Sequence, residues 1–243
     1  MRKAVLKQNN SWAPITLLIS QVIAQVSLIP MVMYAQSWQW IPFIAVYCAM
    51  MLGVTMGYHR YWSHHAFKCS KVIEYVMMFF AHVMMIGPAI TWAANHREHH
   101  RFADTEKDPH SPHYRGWLLA YFGQVLIDIN FKYARDLLKQ KLCRDQVKYY
   151  WHVIGAYALL LVLIDPFALI YAWLAPAGAA KLIGSFVFTF SHRGKEAHSD
   201  TWLGIITLGE GFHKAHHDHG NRQILWHKLD LGGQLIRLID KTA

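Results

Sequence analysis

The segment HREHH, residues 96–100, carries histidines at positions i, i+3 and i+4. On an α-helix these positions lie on one face, so the spacing predicts three imidazoles directed toward one point. The segment HKAHH, residues 213–217, repeats the same spacing. Because imidazole is the commonest metal ligand among the side chains, both segments indicate a metal site.

A third group, HRYWSH at residues 59–64, spaces its histidines differently. Five residues rotate an ideal helix by about 140° past a full turn, so His59 and His64 cannot align on it. We expect them to straddle the frayed end of a helix or to reach two different metals. The three groups hold eight histidines, more than one ion coordinates, which implies two metals. These residues are His59, His64, His96, His99, His100, His213, His216 and His217.

Apolar runs around the histidine groups predict an all-α integral membrane protein. Asp165-Pro166 and the stretch from Pro176 to Gly178 interrupt the apolar region 149–192, and both disfavour a continuous helix. We therefore predict four transmembrane helices in two hairpins, the second hairpin turning between these interruptions. The predicted spans cover about residues 15–35, 40–58, 149–165 and 174–192.

Basic residues set the predicted orientation. Arg2, Lys3 and Lys7 precede the first apolar run, and Arg60 and Lys68 follow the second. The positive-inside rule then places both ends of the first hairpin in the cytoplasm. The histidine groups are expected on that side of the membrane.

The apolar segment 72–94 is a further candidate for a span. If it crossed the bilayer, the histidines at 59–64 and those at 96–100 would be separated by a hydrocarbon core of about 30 Å. They could then share no metal site. We predict a buried or interfacial helix in this segment instead.

Composition agrees with a membrane protein that has a basic cytoplasmic face. The chain is 54% hydrophobic and 16% charged, with a formal net charge of +9. No nucleic-acid recognition motif accompanies the basic residues, so no nucleic-acid partner is expected. Cys48, Cys69 and Cys143 form no CxxC pair, and we expect reduced, non-catalytic thiols. No linker divides the chain, and residues 1–243 are interpreted as one domain.

The identity of the metal does not follow from the ligands alone, because imidazole suits iron, copper, zinc and nickel. A membrane setting and a lipid-sized apolar substrate favour O2 chemistry, which requires a redox metal. Soluble di-iron carboxylate proteins use two ExxH pairs. Here only Glu210 and His213 match that pattern, which disfavours the soluble class.

Three stretches resemble the membrane acyl-CoA desaturases of the stearoyl-CoA Δ9 type: GVTMGYHRYWSH (53–64), NHREHHRFADTEKDPH (95–110) and GEGFHKAHH (209–217). The likeness covers about residues 40–220. In that family four transmembrane helices support a cytosolic helical cap, and nine histidines bind two irons. The resemblance implies that His192, in FVFTFSH, is the ninth ligand beside the eight histidines named above.

The resemblance implies an O2-dependent reaction that introduces a cis double bond into a fatty acyl chain. It implies two non-haem iron ions and O2 as cofactors, with no catalytic residue beyond the metal ligands. The acyl chain would be linked to CoA, acyl carrier protein or lipid. Expected partners are membrane lipids and a separate electron-transfer protein of the ferredoxin, rubredoxin or cytochrome b5 type. The expected location is multi-pass in a bacterial cytoplasmic membrane, with the site facing the cytoplasm.

Several positions refine this expectation. Asp104, Asp108 and Glu210 match acidic flanking positions and are interpreted as partners that orient imidazoles. Phe188 stands where the family has an asparagine that reaches one iron through water, so the coordination of that iron is expected to differ. The segment AYFGQ (120–124) replaces the family's SHxGW, and the basic pair that contacts CoA phosphates is absent, which disfavours CoA as the carrier. The chain ends soon after HKAHH, and we expect no fused cytochrome b5 domain.

Two alternatives remain open. A related membrane di-iron hydroxylase would use the same histidines, although the DPH and GEG flanks favour desaturation. A non-catalytic metal-binding or transport protein would need polar residues along a path through the membrane, and the predicted spans offer almost none.

Overall fold

The computed structural model describes residues 13–122, 126–194, 196–218 and 227–240, and every regular element in these ranges is helical. Arg2, Lys3 and Lys7, which contributed to the predicted orientation, lie outside the described residues. The α-helices are α1 (Ala13–Val26), α2 (Leu28–Tyr34), α3 (Trp40–Leu52), α4 (Lys71–Val83), α5 (Ala89–Phe102), α6 (Pro112–Arg115), α7 (Trp117–Phe122), α8 (Lys141–Lys148), α9 (Tyr150–Ile164), α10 (Ala175–Phe190), α11 (Thr201–Ile206), α12 (His213–Asp218) and α13 (Leu231–Ile239). Two π-helical segments, Gly53–Ser63 and Ile170–Leu174, and three 3₁₀ turns, Ser37–Gln39, Phe131–Ala134 and Leu137–Lys139, complete the set.

Three helices in the described part of the chain are long and apolar enough to cross a membrane: Pro14–Tyr34, Ser37–Ser63 and Ile170–Phe190. A fourth candidate consists of α8 and α9, which meet at a bend of 68°. Within its described residues the chain is therefore all-helical, with three or four candidate membrane helices. Their outer surfaces are apolar: Val32 is 70% exposed and Leu163 is 75% exposed. Lipid is the solvent in which such surfaces are stable.

The chain turns at residues 165–169, between α9 and the helix Ile170–Phe190, within the interval that the sequence predicts. Asp165 starts the turn, because its carboxylate accepts a hydrogen bond from the Phe167 backbone at 3.0 Å. The chain then continues as helix through Pro176 and Gly178, so the expected interruption there is wrong. Pro176 lies in the first turn of α10, where a helix tolerates proline. Gly178 packs against the Ala24 backbone so closely that a Cβ atom would collide with it.

The segment 72–94 forms two helices rather than one. Between α4 and α5 the chain breaks at Met84–Pro88, where Met85 and Gly87 take φ angles of 61° and 95°. Helix α4 has 13 residues and would extend about 20 Å, which is shorter than the hydrocarbon core of a bilayer. The Tyr58 hydroxyl donates to the Gly87 carbonyl at 3.0 Å, so α5 starts beside the middle of the Gly53–Ser63 segment. This geometry brings the first two histidine groups together.

Candidate metal centre

The first histidine group lies on a π-helical segment, Gly53–Ser63, and not on an ideal or frayed α-helix. The His64 backbone N–H donates to the His59 carbonyl at 3.1 Å, which is an i→i+5 hydrogen bond. A π-helix takes more residues per turn than an α-helix, so side chains five positions apart approach one face. The two ring centroids are 5.2 Å apart. Both histidines enter one cluster, and the alternative that they reach two different metals is wrong.

The other two groups each divide between two clusters, so the expectation that three imidazoles of one group meet at one point is also wrong. On α5, His96 and His100 face one cluster and His99 faces the other. On α12, His213 and His217 share a cluster and His216 enters the other. Positions i and i+4 differ by about 40° around a helix, whereas i+3 and i+4 differ by about 100°. A helix that lies between two sites therefore presents i and i+4 to one of them and i+3 to the other.

All nine histidines singled out from the sequence lie in these two clusters. In each cluster the candidate nitrogen atoms lie within 4.8 Å of one another. The five-histidine cluster consists of His59, His64, His96, His100 and His216. The four-histidine cluster consists of His99, His192, His213 and His217.

The spacing of the ring nitrogens fits a shared cation. The Nε2 atoms of His100 and His216 are 2.6 Å apart, and those of His192 and His213 are 2.9 Å apart. Two nitrogens that each lie about 2.1 Å from one metal, at right angles, are themselves about 3 Å apart. Facing lone pairs at this separation repel each other unless a cation lies between them. The donor set therefore fits one metal ion in each cluster.

Three buried or half-buried carboxylates fix which ring nitrogen is available. Glu210 accepts from His59 Nδ1 at 2.7 Å, and Asp108 accepts from His99 Nδ1 at 2.8 Å. Asp104 contacts His192 Nδ1 at 3.0 Å. Because a carboxylate accepts, each Nδ1 carries the proton and each Nε2 keeps its lone pair for the cluster. The three acids that the sequence analysis interpreted as orienting partners thus each contact one histidine.

Burial favours the neutral form of five of the cluster imidazoles. It lowers the pKa of His96, His99, His213 and His216 well below the ordinary histidine value, and the charges of neighbouring imidazoles add to the effect. The same causes lower the pKa of His100 to about 3. Neutral imidazoles have a free lone pair at physiological pH. The centre is therefore arranged to receive a cation without first losing protons.

An ion pair that no sequence pattern indicates supports the centre from the side of the π-helical segment. Arg60 is fully buried and pairs with Asp230 at 2.9 Å. Asp230 also caps α13, since its carboxylate accepts from the Gly233 backbone at 2.8 Å. The two residues are 170 positions apart in the chain, and no local pattern links them.

A cavity adjoins the centre. It has a volume of about 140 Å³, and His96, His110 and Phe188 line the end nearest the histidines. Apolar side chains such as Met51 line much of the remaining wall, together with polar ones that include Asn95, Glu210 and Lys181. Lys181 is only 4% exposed and lies in the middle of a candidate span. The interpretation that the spans offer almost no polar residues overlooked it.

The chain matches the family model described as fatty acid desaturase over residues 37–238. It is 29% identical to the Delta-9 acyl-lipid desaturase 2 of Arabidopsis thaliana, over 83% of this chain and 71% of that protein. The Icosanoyl-CoA 5-desaturase of Limnanthes douglasii is 28% identical over 98% of this chain and 73% of its own length. The Hex-5-enoyl-[acyl-carrier protein] acetylenase of Moorena producens is 27% identical over 82% of this chain and 73% of its own length.

Proposed function

The chain belongs to the fatty acid desaturase family, and we propose that it introduces a cis double bond into a fatty acyl chain in a reaction that consumes O2. The observation that supports this most directly is the pair of histidine clusters, in which nine imidazoles converge in two groups. Two clusters of this size suit two metal ions. We propose that both ions are iron.

The proposed iron ligands are the histidines of the two clusters. The five-histidine cluster would hold one iron and the four-histidine cluster the other. When bound there, two iron ions would supply the redox chemistry that activates O2 toward an unactivated C–H bond. Glu210, Asp108 and Asp104 would hold the imidazoles in the required tautomer.

The protein residues around the clusters would position the substrate and exclude water. The cavity beside His96 has mainly apolar walls, which suits a hydrocarbon chain. It extends from Phe188, beside both clusters, to Met51 and Leu17 on the candidate spans. A chain in this cavity would place its methylene groups next to the centre while bulk water stays outside.

We propose a single domain over residues 1–243, with four spans in two hairpins and a cytosolic helical cap formed by the remaining helices. This topology uses the bent pair α8 and α9 as one span beside the three continuous candidates. It keeps both clusters on one side of the membrane, in agreement with the 4.4 Å between the ring centroids of His100 and His217, which belong to different clusters. The proposed location is a bacterial cytoplasmic membrane, with the centre facing the cytoplasm.

The acyl carrier and the electron donor are part of the same proposal. The relatives' names specify acyl-lipid, acyl-CoA and acyl-carrier-protein substrates, and we propose a fatty acyl substrate on one of these carriers. Electrons would come from a separate protein of the ferredoxin, rubredoxin or cytochrome b5 type. The formal net charge of +9 favours an acidic donor, because opposite charges accelerate association.

The test is gas chromatography with mass spectrometry of fatty acids from a host that expresses the chain and a compatible electron donor. We expect a new monounsaturated acid with the wild type, none with His99→Ala, and an unchanged profile with the control His152→Ala, since His152 is exposed and lies in neither cluster. Membrane fractionation would show that each variant inserts. Hydroxy acids instead of unsaturated acids would replace desaturation with the hydroxylase alternative.

A further inference from the structure

Arg97 lies within the second histidine group, directly after His96, but its side chain contacts other segments of the chain. A guanidinium group has five N–H donors in a rigid fork. Here Nε contacts one backbone carbonyl, and Nη1 and Nη2 each contact one backbone carbonyl and one carboxylate oxygen of Asp136. The side chain is 19% exposed. Because an acceptor of the protein faces every donor, the guanidinium is held in one position.

Two of the carbonyls belong to the end of the π-helical segment Gly53–Ser63. Nε of Arg97 donates to the Ser63 carbonyl at 2.8 Å, and Nη2 donates to the Trp62 carbonyl at 2.7 Å. The last carbonyls of a helix have no intrahelical donor, and a basic side chain that reaches them stabilises that end. Arg97 therefore caps the π-helical segment from a different helix, α5.

The Ser63 carbonyl belongs to the same peptide unit as the N–H of His64. That N–H donates to the His59 carbonyl at 3.1 Å, which is the i→i+5 bond of the π-helix. The peptide unit is therefore held on one side by the π-helical bond and on the other by Arg97. Beside this contact, Nε2 of His96 lies 2.9 Å from Nε2 of His64. Two consecutive residues of α5 thus contact two consecutive residues at the π-helical end.

We propose that Arg97 is a positioning residue for the five-histidine cluster, and that its guanidinium fixes the π-helical turn that directs His64 into the cluster. This inference rests on the proposed function and identifies a residue on which one of its two metal sites depends. π-Helical turns are rare, and an α-helical turn would separate His64 from His59 by about 140° around the helix axis. Without Arg97 the turn loses its cap. None of the four histidines of the other cluster lies in this segment, so that cluster should keep its ion.

Asp136 defines the competing explanation, in which an ion pair rather than the cap holds Arg97 and α5 in place. Its carboxylate oxygens lie 2.7 and 3.0 Å from Nη1 and Nη2, and its side chain is 42% exposed. Nη2 also lies 3.0 Å from Nε2 of His65, which is itself 55% exposed. Ion pairs at such exposed positions contribute little to stability. Removal of the Asp136 carboxylate should therefore matter much less than removal of the guanidinium.

The experiment compares full-length variants that are purified in detergent and loaded with iron, without substrate or electron donor. Iron per protein is measured by mass spectrometry, and the iron environments are measured by Mössbauer spectroscopy. His59→Ala and His192→Ala, which each remove a ligand from one cluster only, supply the reference spectra. Arg101→Met is the matched control, because Arg101 lies one turn further along α5 and is exposed.

Arg97→Met should lose about half of the bound iron, because the two clusters suit one ion each. The remaining spectrum should match that of His59→Ala, in which the four-histidine cluster is intact. Arg97→Lys should retain an intermediate amount of iron, because one ammonium group cannot reproduce the fork that contacts both carbonyls. Asp136→Ala and Arg101→Met should keep the iron content and the spectrum of the wild type.

Three results would overturn the inference. The first is a wild-type iron content and spectrum in Arg97→Met. The second is equal loss from both clusters or a spectrum like that of His192→Ala, since the effect would then not pass through the π-helical turn. The third is an Asp136→Ala variant that loses as much iron as Arg97→Met, which would assign the effect to the ion pair. If Arg97→Met does not fold, Arg97→Lys decides, because its spectrum must change in the environment of the five-histidine cluster alone.

Failure of this inference is separable from failure of the proposed function, because iron binding and spectra require no turnover. A protein that responds to the Arg97 variants as expected but forms no unsaturated acid would contradict only the desaturase proposal. A protein that desaturates acyl chains and keeps both iron environments in Arg97→Met would contradict only the role of Arg97.

Discussion

The two histidine clusters use the same side chain but have different surroundings. Among the described residues, the five-histidine cluster has one carboxylate partner, Glu210, and the four-histidine cluster has two, Asp104 and Asp108. Phe188 packs against His213 of the smaller cluster. The smaller cluster therefore offers fewer nitrogens and more nearby negative charge. Negative partners increase the basicity of the imidazoles that they contact, which compensates for a smaller number of ligands.

The clusters are also mechanically linked. Helices α5 and α12 each contribute histidines to both, so a shift of either helix would change both sites. The π-helical segment Gly53–Ser63 contributes only to the five-histidine cluster, and His192 only to the other. These two elements are the places where one cluster can be disturbed without the other. A variant in either element should therefore disturb one cluster alone.

The largest effect is expected from His100→Ala and His217→Ala. The two rings stack on each other with centroids 4.4 Å apart, yet they belong to different clusters, which makes them a matched pair. Each substitution should abolish product formation. His217→Ala leaves three imidazoles in its cluster and should lose about half of the bound iron, whereas His100→Ala leaves four and should retain more. Iron per protein by mass spectrometry and fatty-acid analysis check both statements. Full turnover by either variant would contradict the ligand assignment.

The second-largest effect is expected from neutral replacements of the carboxylates. Asp108→Asn and Glu210→Gln each remove the acceptor that orients one imidazole, and such changes cost roughly 10- to 100-fold in metal affinity or activity. Asp104→Asn should cost less, because the Asp104 side chain is 15% exposed and that of Asp108 is fully buried. Iron retention against a chelator measures the order. If Asp104→Asn lost iron fastest of the three variants, the exposure of these carboxylates would not determine how much each contributes to iron binding.

Asp230→Asn should affect stability more than chemistry. It leaves the buried Arg60 guanidinium without its charged partner, and breaking a buried pair costs about 3–5 kcal/mol. The free energy of unfolding should fall by this amount, as measured by thermal or denaturant unfolding in detergent. Because Arg60 lies on the π-helical segment, iron loss should begin at the five-histidine cluster. Selective loss from the four-histidine cluster would contradict that link.

The two histidine clusters also show which features of the centre the sequence predicts and which it does not. The spacing of HREHH and HKAHH predicts helical metal-ligand groups because i, i+3 and i+4 are close on any helix. Their division between two clusters depends on where α5 and α12 lie relative to each other, which spacing does not encode. The alignment of His59 with His64 requires a π-helix, and neither residue type nor spacing indicates one. Only the resemblance to a known family identifies His192 as a candidate ligand, because a single histidine after an apolar run forms no spacing pattern.

The membrane helices show a similar limit. Hydropathy predicts where apolar helices lie, and the helices at Pro14–Tyr34, Ser37–Ser63 and Ile170–Phe190 overlap the expected ranges. The local preference of proline suggests a helix break at Pro176. Its position in the first turn of α10 is nevertheless compatible with a helix. Lys181 is one charge in an apolar run, and its position in the cavity wall follows from the packing of the helices, which the run does not encode.

The smallest effect is expected at Phe188, whose ring lies nearer to His213 of the four-histidine cluster, at 5.9 Å, than to His96 of the five-histidine cluster, at 6.5 Å. Phe188→Leu keeps an apolar side chain of similar size, so it should cost about 1 kcal/mol in stability and retain most activity. Phe188→Asn places an amide beside His213, where it can accept or donate a hydrogen bond. Mössbauer spectra of the iron-loaded variant should then show a larger change in one iron environment than in the other. If both environments changed equally, the ring would influence both clusters, and the asymmetry between them would have to come from their carboxylate partners alone.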